Sequence, residues 1–490
     1  MRKVLKVILA FILSVILTPL LTSAQNDNVV LKGTAKQYAG FNLSIQRYTN
    51  FISYNTEEIG NFKVDARGDF RFSTHLDHIT YAYIDLGILR GYIYLEPNTT
   101  YELILPPYTA KKEADRFNPY FRPEEVPIGV KNDDALKLNK NIIRFDEEYN
   151  FLFNKNAFKL FNKSNVTLTN KLVSRLDSLF PGEKNSYFDN YKQFRYAKLY
   201  MLSMKRHKRK VIYNYYSKTP VCYNNPAYWE TFDLLFRDFF AGYFTSKYGK
   251  ELKSAFADST TFSRLSLILG KDSLYKQKEF REVLLLKALY DAFYSGHYDK
   301  DKIIGILGMA KGQGSTEDVR TLAGELHAKV NHLRAGSLAP DFSLYNINGK
   351  ERSLESYKGK FVYLNFCNTE NYTCKKDFQV LNALYKRMRH DLTIVSIASD
   401  RDIDKLEQFV KSHKYKWDFL YFGDQANVIF NYDIRALPTY ILIDPEGKIM
   451  MAPAPSPEEN FPAKFYENVK KYRYNKLRQE RPKEKSIYEF

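Results

Sequence analysis

The sequence predicts a multidomain protein with an N-terminal β-sandwich, a central all-α region and a C-terminal α/β region. Its 490 residues are enough for about two to four domains of ordinary size. Hydrophobic residues make up 44% of the chain and charged residues 27%, which allows packed cores and excludes a disordered protein. The pattern changes after a proline-rich stretch at 106–127 and again at the short linker Ala335-Gly336-Ser337. These two changes separate a strand-like, a helical and a mixed region.

Residues 1–24 have the pattern of a cleavable secretory signal peptide. A basic start and an apolar run over 7–21 precede Thr22-Ser23-Ala24, the small residues that a signal peptidase needs. The run is shorter than the roughly 20 residues that span a bilayer, and Pro19 disfavours a continuous helix through it. We therefore expect an exported protein of the periplasm or cell envelope, with an uncleaved N-terminal anchor as the alternative.

The chain is basic, with 74 Lys and Arg against 56 Asp and Glu and a net charge of +18. The run Lys-Arg-His-Lys-Arg-Lys at 205–210 would indicate nucleic-acid binding in a cytosolic protein. In an exported protein we expect no nucleic acid, and weak contact with anionic envelope surfaces is the better interpretation. A solvated face of a long helix is the plainer alternative. Only three cysteines are present, which excludes a small disulfide-stapled scaffold.

Residues 28–108 are predicted to form a small antiparallel β-sandwich without a catalytic group of residues. Its strand-like segments, rich in β-branched and aromatic residues, are 29–32, 42–47, 80–86 and 92–95. Residues 128–334 are predicted to form an all-helical domain, because apolar residues recur every three or four positions. The predicted helices are 133–161, 167–179, 184–216, about 227–247, 276–295, 299–310 and 316–334.

From residue 336 strands and helices alternate, which predicts a largely parallel or mixed sheet with helices on both faces. The predicted strands are 362–366, 392–398, 417–422 and the hairpin 440–443 with 448–451, and the predicted helices are 372–389 and 402–413. A last helix is predicted to start with Ser456 as its cap and Pro457 at the first helical position. The charged tail 475–490 is expected to be frayed.

Three blocks in this region carry a resemblance to a known family. They are Ala339-Pro340-Asp341-Phe342-Ser343-Leu344, Gly359-Lys360-Phe361-Val362-Tyr363-Leu364-Asn365-Phe366 and Ala436-Leu437-Pro438-Thr439-Tyr440-Ile441-Leu442-Ile443-Asp444. Through them, residues 336–473 resemble the TlpA-like branch of the thioredoxin superfamily, which is close to the AhpC/TSA peroxiredoxins. The resemblance implies a thioredoxin-like fold and thiol–disulfide exchange with a disulfide-bearing protein or other envelope polypeptide. We expect no cofactor and no metal site.

The family's chemistry uses a Cys-x-x-Cys pair at a helix N-terminus, where N–H groups and the helix dipole stabilise a thiolate. In this sequence the motif falls on Asn371-Tyr372-Thr373-Cys374, so Asn371 takes the attacking position and Cys374 keeps the resolving one. An amide cannot attack a disulfide, but Asn is among the best N-cap residues. We therefore expect a preserved helix start and weak or lost dithiol exchange. A peroxidatic Cys would want Thr and Pro at the positions of Asn371 and Cys367.

Cys367 ends the predicted strand seven residues before Cys374, where the family often has an aromatic residue. Three states stay open: a Cys367–Cys374 disulfide or redox pair, two inert buried thiols, and a single reactive thiol at Cys374. The disulfide needs Cα atoms within about 7 Å. Cys222 leaves an odd cysteine count and is interpreted as a buried apolar residue in its loop.

The resemblance also implies a binding role for Pro438. In the family this proline is cis and faces the active site, and the backbone beside it pairs with the extended chain of the substrate. We call the surface formed by Asn371, Leu437 and Pro438 the Pro438 groove; the plainer interpretation is that Pro438 only shapes the start of a strand. Two functions follow. One is a thiol–disulfide oxidoreductase with a non-standard cysteine pair, and the other is a non-catalytic periplasmic module that binds polypeptide or glycan. The sequence indicates no oligomeric state.

Overall fold

A computed structural model describes residues 27–480 except 113–120, 163–164, 183–185, 204–207, 259, 401, 424 and 435. The predicted signal peptide, half of the basic run and the last ten residues of the tail lie outside the described residues. The chain divides into two compact units, one running up to Lys111 and from Arg122 to His327, the other from Ala328 onward. Among the described helices, none has the length and apolar composition needed to cross a membrane.

The first unit begins with two β-sheets. Their strands are β1 Val29–Thr34, β2 Asn42–Tyr48, β3 Thr56–Lys63, β4 Asp69–Thr74, β5 Thr80–Leu86, β6 Leu89–Leu95, β7 Thr99–Ile104, β8 Glu124–Pro127 and β9 Gly129–Val130. The strand orders are β4-β1-β7-β9 and β3-β2-β5-β6-β8. Buried residues of both sheets, such as Leu31, Ile45, Ile84 and Leu103, form one core. The predicted β-rich N-terminal region is confirmed.

The sandwich is not fully antiparallel, which corrects the prediction. β1 pairs in parallel with β7, and β6 pairs in parallel with β8. Both pairs join strands that are not neighbours in the sequence, and hydrophobic alternation within a strand carries no information about its partner's direction. The sequence also gave no prediction for β3, where most side chains are exposed and the alternation of buried and exposed positions is weak.

Eleven helices follow in the described part of the first unit. They are α1 Asp133–Asn162, α2 Val166–Leu179, α3 Ser186–Ser203, α4 Lys208–Tyr215, α5 Pro226–Phe236, α6 Phe239–Tyr243, α7 Lys250–Ala257, α8 Phe262–Leu269, α9 Lys278–Ser295, α10 Lys300–Gln313 and α11 Glu317–Asn331. The all-helical central region is confirmed. The predicted helix 184–216 is represented by α3 and α4, on either side of residues 204–207, which lie outside the described residues. The predicted helix 227–247 is divided in two. Asp238 separates α5 from α6 because its φ of 51° lies in the left-handed region.

Strands and helices of the first unit share buried polar contacts. The backbone N–H of Tyr94 in β6 donates to Asn139 in α1 (2.9 Å), and the Asn139 amide donates back to the Tyr94 carbonyl (2.8 Å). The Glu325 carboxylate of α11 accepts hydrogen bonds from Thr49 (3.0 Å) and Asn50 (2.6 Å). These bonds join the sandwich to both ends of the helical region.

Residues 208–210, the described part of the basic run, are not all solvated. Arg209, in the first turn of α4, donates two hydrogen bonds to the buried carboxylate of Asp272 at 2.7 and 2.8 Å. A bidentate arginine–carboxylate pair of this kind holds the start of α4 against the segment between α8 and α9. For Arg209 the structure therefore replaces the predicted solvated role with a structural one.

The second unit is built on one mixed sheet of seven strands. The strands are β10 Ser343–Asn346, β11 Glu351–Ser353, β12 Phe361–Cys367, β13 Leu392–Ala398, β14 Asp418–Tyr421, β15 Thr439–Ile443 and β16 Ile449–Ala454, and the helices are α12 Tyr372–Met388, α13 Ile403–His413, α14 Ala426–Asn431 and α15 Phe461–Glu480. The order is β11-β10-β14-β13-β12-β15-β16, with β12, β13 and β14 parallel. The predicted thioredoxin-like α/β fold is confirmed.

Both faces of the sheet are covered, as predicted. Tyr363 and Cys367 of β12 pack on one face with α12, α13 and α15, whereas Leu364 and Phe366 pack on the other face with α14. Alternate side chains of β12 therefore pack into two cores, which explains why the strand is buried along almost its whole length.

The structure shows a contact of the predicted linker and corrects one predicted helix start. The linker Ala335-Gly336-Ser337 pairs with the hairpin, because Gly336 N–H donates to the Ile449 carbonyl (2.7 Å) and Ile449 N–H donates to Ser337 (2.8 Å). The last helix starts at Phe461 rather than after Ser456, since Asn460 has a φ of 57° and interrupts a helical path. The helix then continues to Glu480, beyond the predicted start of the frayed tail.

Candidate functional site

The candidate site lies where β12 ends and α12 begins. Asn371 is the N-cap of α12: its backbone is extended, and its side-chain oxygen accepts a hydrogen bond from the Cys374 N–H at 3.1 Å. This bond satisfies one of the free N–H groups of the first helical turn. The predicted capping role of Asn371 is confirmed, and its amide oxygen is already used within the chain.

Cys374 is 1% exposed, and its sulfur accepts a hydrogen bond from the Asn368 N–H at 3.5 Å. Burial raises the pKa of the Cys374 thiol to about 11, although this hydrogen bond opposes the shift. The thiolate that disulfide exchange requires is therefore a minor species at pH 7. The retained cysteine is a poor nucleophile in this environment.

Cys367 is fully buried, and its thiol donates to the Ile397 carbonyl at 3.8 Å. Burial raises the pKa of Cys367 well above its ordinary value, and the neighbouring Cys374 raises it further. Both cysteines belong to one hydrophobic cluster, and both are free thiols in the structure. The Cys367–Cys374 disulfide thus stays a prediction for the oxidised protein. Cys222 is partly exposed rather than buried.

Asp400, which the sequence reasoning missed, holds the loop between β12 and α12. It is 7% exposed, and both of its carboxylate oxygens accept from the Thr369 N–H at 3.1 Å. The Thr369 hydroxyl donates a third hydrogen bond to the same carboxylate. Burial raises the pKa of Asp400, and the hydrogen bonds from Thr369 oppose that shift. A signal was available: Asp400 follows the buried strand β13, and the carboxyl ends of parallel strands are where α/β proteins place their sites.

Asp377 is a second buried carboxylate that the sequence reasoning missed. It lies on α12, is 5% exposed, and accepts a hydrogen bond from the Tyr440 hydroxyl at 2.7 Å. Burial is the main cause of its raised pKa. Tyr440 in turn stacks on Tyr363 of β12, with ring centroids 5.0 Å apart. These contacts fix α12 to the strand that follows Pro438.

The structure places Pro438 beside the end of β12. The Leu437–Pro438 peptide bond is cis, as the resemblance implies. Thr439, the next residue, pairs with Phe366 of β12. Leu437 is half-buried and contacts the cores on both faces of the sheet. Tyr372, the residue after the helix cap Asn371, is 83% exposed.

Comparison with known proteins assigns this unit to a family. A model of the AhpC/TSA family matches residues 335–452. The thiol-disulfide oxidoreductase ResA of Bacillus subtilis is 34% identical over 131 residues, which cover 26% of this chain and 73% of that protein. The chain belongs to the AhpC/TSA family. ResA of Bacillus cereus is 30% identical over 124 residues, 25% of this chain and 71% of its own length.

Among solved structures, the thioredoxin domain of a thiol-disulfide oxidoreductase from Bacteroides vulgatus is 27% identical. The match has a TM-score of 0.25 and covers 28% of this chain and 97% of that one. Family membership thus concerns the second unit, since the family model starts at residue 335. Across the described residues, no cluster of His, Cys, Asp and Glu is arranged to hold a metal ion.

Proposed function

We propose that this chain is an exported member of the thiol-disulfide oxidoreductase family that binds polypeptide in the Pro438 groove and has lost ordinary dithiol exchange. The observation that carries the proposal is the use of Asn371. Its amide caps α12 through the Cys374 N–H and offers no sulfur for a mixed disulfide. Cys374, the cysteine at the resolving position of the motif, is buried and protonated at neutral pH. Export rests on the signal-peptide pattern of residues 1–24.

The binding half of the proposal rests on what surrounds the groove. Tyr372, the residue after Asn371, presents an exposed aromatic ring, and Leu437, the residue before Pro438, is half-buried. The loop leading to Asn371 is held by the bonds between Thr369 and Asp400, so the groove is ordered before a ligand arrives. A surface that combines an aromatic anchor with preformed backbone suits an extended polypeptide, because little entropy is lost on binding.

One observation favours a second candidate, an oxidoreductase that uses Cys367 and Cys374 as its redox pair. Both cysteines lie in one cluster, close enough for Cys374 to raise the pKa of Cys367. Burial of both sulfurs opposes this function, since an exchanging thiol must meet its partner disulfide.

Two assays test the proposal with the full mature chain. In insulin reduction with dithiothreitol, we expect the rate of the reductant alone. Turnover at the rate of a dithiol thioredoxin, abolished by Cys374→Ser, would support the second candidate instead. Binding is measured with reduced, carboxymethylated α-lactalbumin, an unfolded polypeptide whose thiols are blocked, and with maltoheptaose as the glycan probe.

The binding site itself is tested by Tyr372→Ser against Tyr474→Ser. Both tyrosines are exposed, 83% and 65%, and Tyr474 lies on α15. Loss of an exposed aromatic anchor is expected to weaken polypeptide binding at least fivefold in the first variant and to leave it unchanged in the second. Equal binding by both variants, or binding of maltoheptaose only, would contradict a polypeptide site in the Pro438 groove.

A further inference from the structure

A strongly basic cavity lies at the far end of the second unit's helices from the candidate site. Its walls carry four cationic side chains and two aromatic ones, and we call it the basic cavity: Lys386, Arg389, Lys414, Lys416, Tyr385 and His413. The cavity has a volume of about 510 Å³. Lys386 follows Cys374 by twelve residues on α12, which at 1.5 Å per residue puts it about 18 Å along the helix. It is therefore separate from the Pro438 groove.

The charge of the basic cavity is uncompensated by the described part of the chain. None of the lining residues is acidic, and none of the four cations forms an ion pair with a described carboxylate. Two acids close in sequence to the lining residues have partners outside the lining: Glu407 pairs with Lys411, and Asp391 accepts a hydrogen bond from Tyr466 at 3.2 Å. Four like charges gathered around one void repel each other, and a bound anion would relieve that repulsion.

Helix capping explains only part of this arrangement. α12 ends at Met388 and α13 at His413, and cations near helix C-termini are favoured by the helix dipole. Each helix end, however, carries only about half a negative charge, so the two ends balance roughly one of the four cations. Lys416 lies beyond both helices, where the dipole does not account for it.

The aromatic residues give the cavity a flat wall beside its charges. Tyr385 packs against Trp417 with ring centroids 5.9 Å apart, and His413 stacks on Tyr415 at 5.4 Å with an interplanar angle of 15°. Tyr415 and Trp417 are themselves in contact at 4.7 Å. A row of packed rings fixes the wall, whereas the lysine and arginine side chains can move toward an anion.

We propose that the basic cavity binds a ligand with at least two phosphate or sulfate groups carried on a ring. Four cations suit more than one doubly charged group, Arg389 can bind one group in a bidentate manner, and the aromatic wall suits the ring. The ligand's source is either a soluble phosphorylated sugar or the headgroup of an anionic lipid. The site does not depend on the function proposed for the Pro438 groove.

The test measures binding of fructose 1,6-bisphosphate and of inorganic phosphate to the full mature chain by calorimetry. Wild type is expected to bind the bisphosphate at least tenfold more tightly than phosphate, with an affinity that falls as salt rises. The double variant Lys386→Gln/Lys416→Gln is expected to weaken binding of the bisphosphate at least tenfold. Its control, Lys375→Gln/Lys405→Gln, removes the same charge from exposed positions at the opposite ends of α12 and α13, and is expected to bind within twofold of wild type.

Sedimentation with vesicles separates the two sources of the ligand. Vesicles of phosphatidylinositol 4-phosphate and phosphatidylcholine, against phosphatidylcholine alone, are expected to bind through the same lysines if the ligand is a headgroup, because the inositol ring of that lipid carries two phosphates. They are expected not to bind if the ligand is soluble. The proposal is overturned if wild type does not distinguish bisphosphate from phosphate, or if the control variant loses as much affinity as the cavity variant. Vesicle binding without bisphosphate binding would also overturn it, because general surface attraction would then suffice.

Discussion

Replacing Thr369 by valine removes one hydroxyl from the loop that leads to Asn371, at almost constant side-chain volume. In the structure that hydroxyl donates to the buried carboxylate of Asp400, which keeps its two hydrogen bonds from the Thr369 N–H. Hydrogen bonds to charged groups contribute about 1.5–3 kcal/mol, so we expect Thr369→Val to destabilise the second unit by about 2 kcal/mol.

Hydrogen–deuterium exchange is the suitable assay, because peptide-resolved rates report the second unit separately from the first. A loss of 2 kcal/mol corresponds to roughly 30-fold faster exchange in the core strands β12 and β13. Thr373→Val is the matched control, because Thr373 is exposed and lies four residues further along the chain. We expect exchange of β12 and β13 in this variant to stay within about twofold of wild type. Equal exchange in the two variants would refute the role given to Asp400.

The effect of Thr369→Val on stability is expected to depend on pH, because Asp400 titrates. Burial raises the pKa of Asp400, so the folded chain holds this proton more tightly than the unfolded chain does. Its contribution to stability therefore falls as the pH rises from about 4, the ordinary pKa of an aspartate, toward neutrality. The Thr369 hydroxyl lowers the pKa of Asp400, so its removal raises that pKa further. The loss of unfolding free energy caused by Thr369→Val is therefore expected to be larger at pH 7 than at pH 4. A loss that is smaller at pH 7 would contradict the account.

Three further predictions concern the same unit and the chain's N-terminus. Asn371→Ala should cost about 1 kcal/mol by removing the helix cap, whereas Asn371→Asp should be nearly neutral because aspartate also caps; exchange at the start of α12 measures both. In the native protein, Cys374 should resist iodoacetamide at pH 7.5 and react increasingly as the pH approaches 11. Peptide mapping measures the alkylated fraction of Cys374, and full alkylation at pH 7.5 would show an accessible thiol. Protein from the envelope fraction should begin at Gln25 by intact mass, and retention of residues 1–24 in the membrane fraction would indicate an anchor instead.

The thioredoxin-like fold was predicted through the resemblance of three short blocks to a known family. Each block contains residues of one strand of the sheet, β10, β12 or β15, and the capping role of Asn371 depends only on the next three residues. The sequence did not predict the partners of buried polar groups. Asp400 and Asp377 meet Thr369 and Tyr440 through tertiary contacts over 31 and 63 positions, which no periodicity encodes.

The remaining differences have similar causes. The parallel pairing of β1 with β7 depends on the order of strands in the sheet rather than on either strand's pattern. The late start of α15 depends on one backbone angle at Asn460, a residue type that tolerates the left-handed region. The environment of Cys374 was open from the sequence, since burial and the hydrogen bond from Asn368 appear only in three dimensions.

Insulin reduction by wild type and by Asn371→Cys tests the central claim most directly, because the claim is that one substitution separates this fold from its family's chemistry. The variant gains a thiol at the helix N-terminus, where the dipole and free N–H groups favour a thiolate, and Cys374 is placed to resolve the mixed disulfide. We predict that wild type stays at the rate of dithiothreitol alone and that the variant is at least 100-fold faster than wild type above that background. Wild-type turnover at the rate of a dithiol thioredoxin, or a folded variant with no gain, would contradict the account.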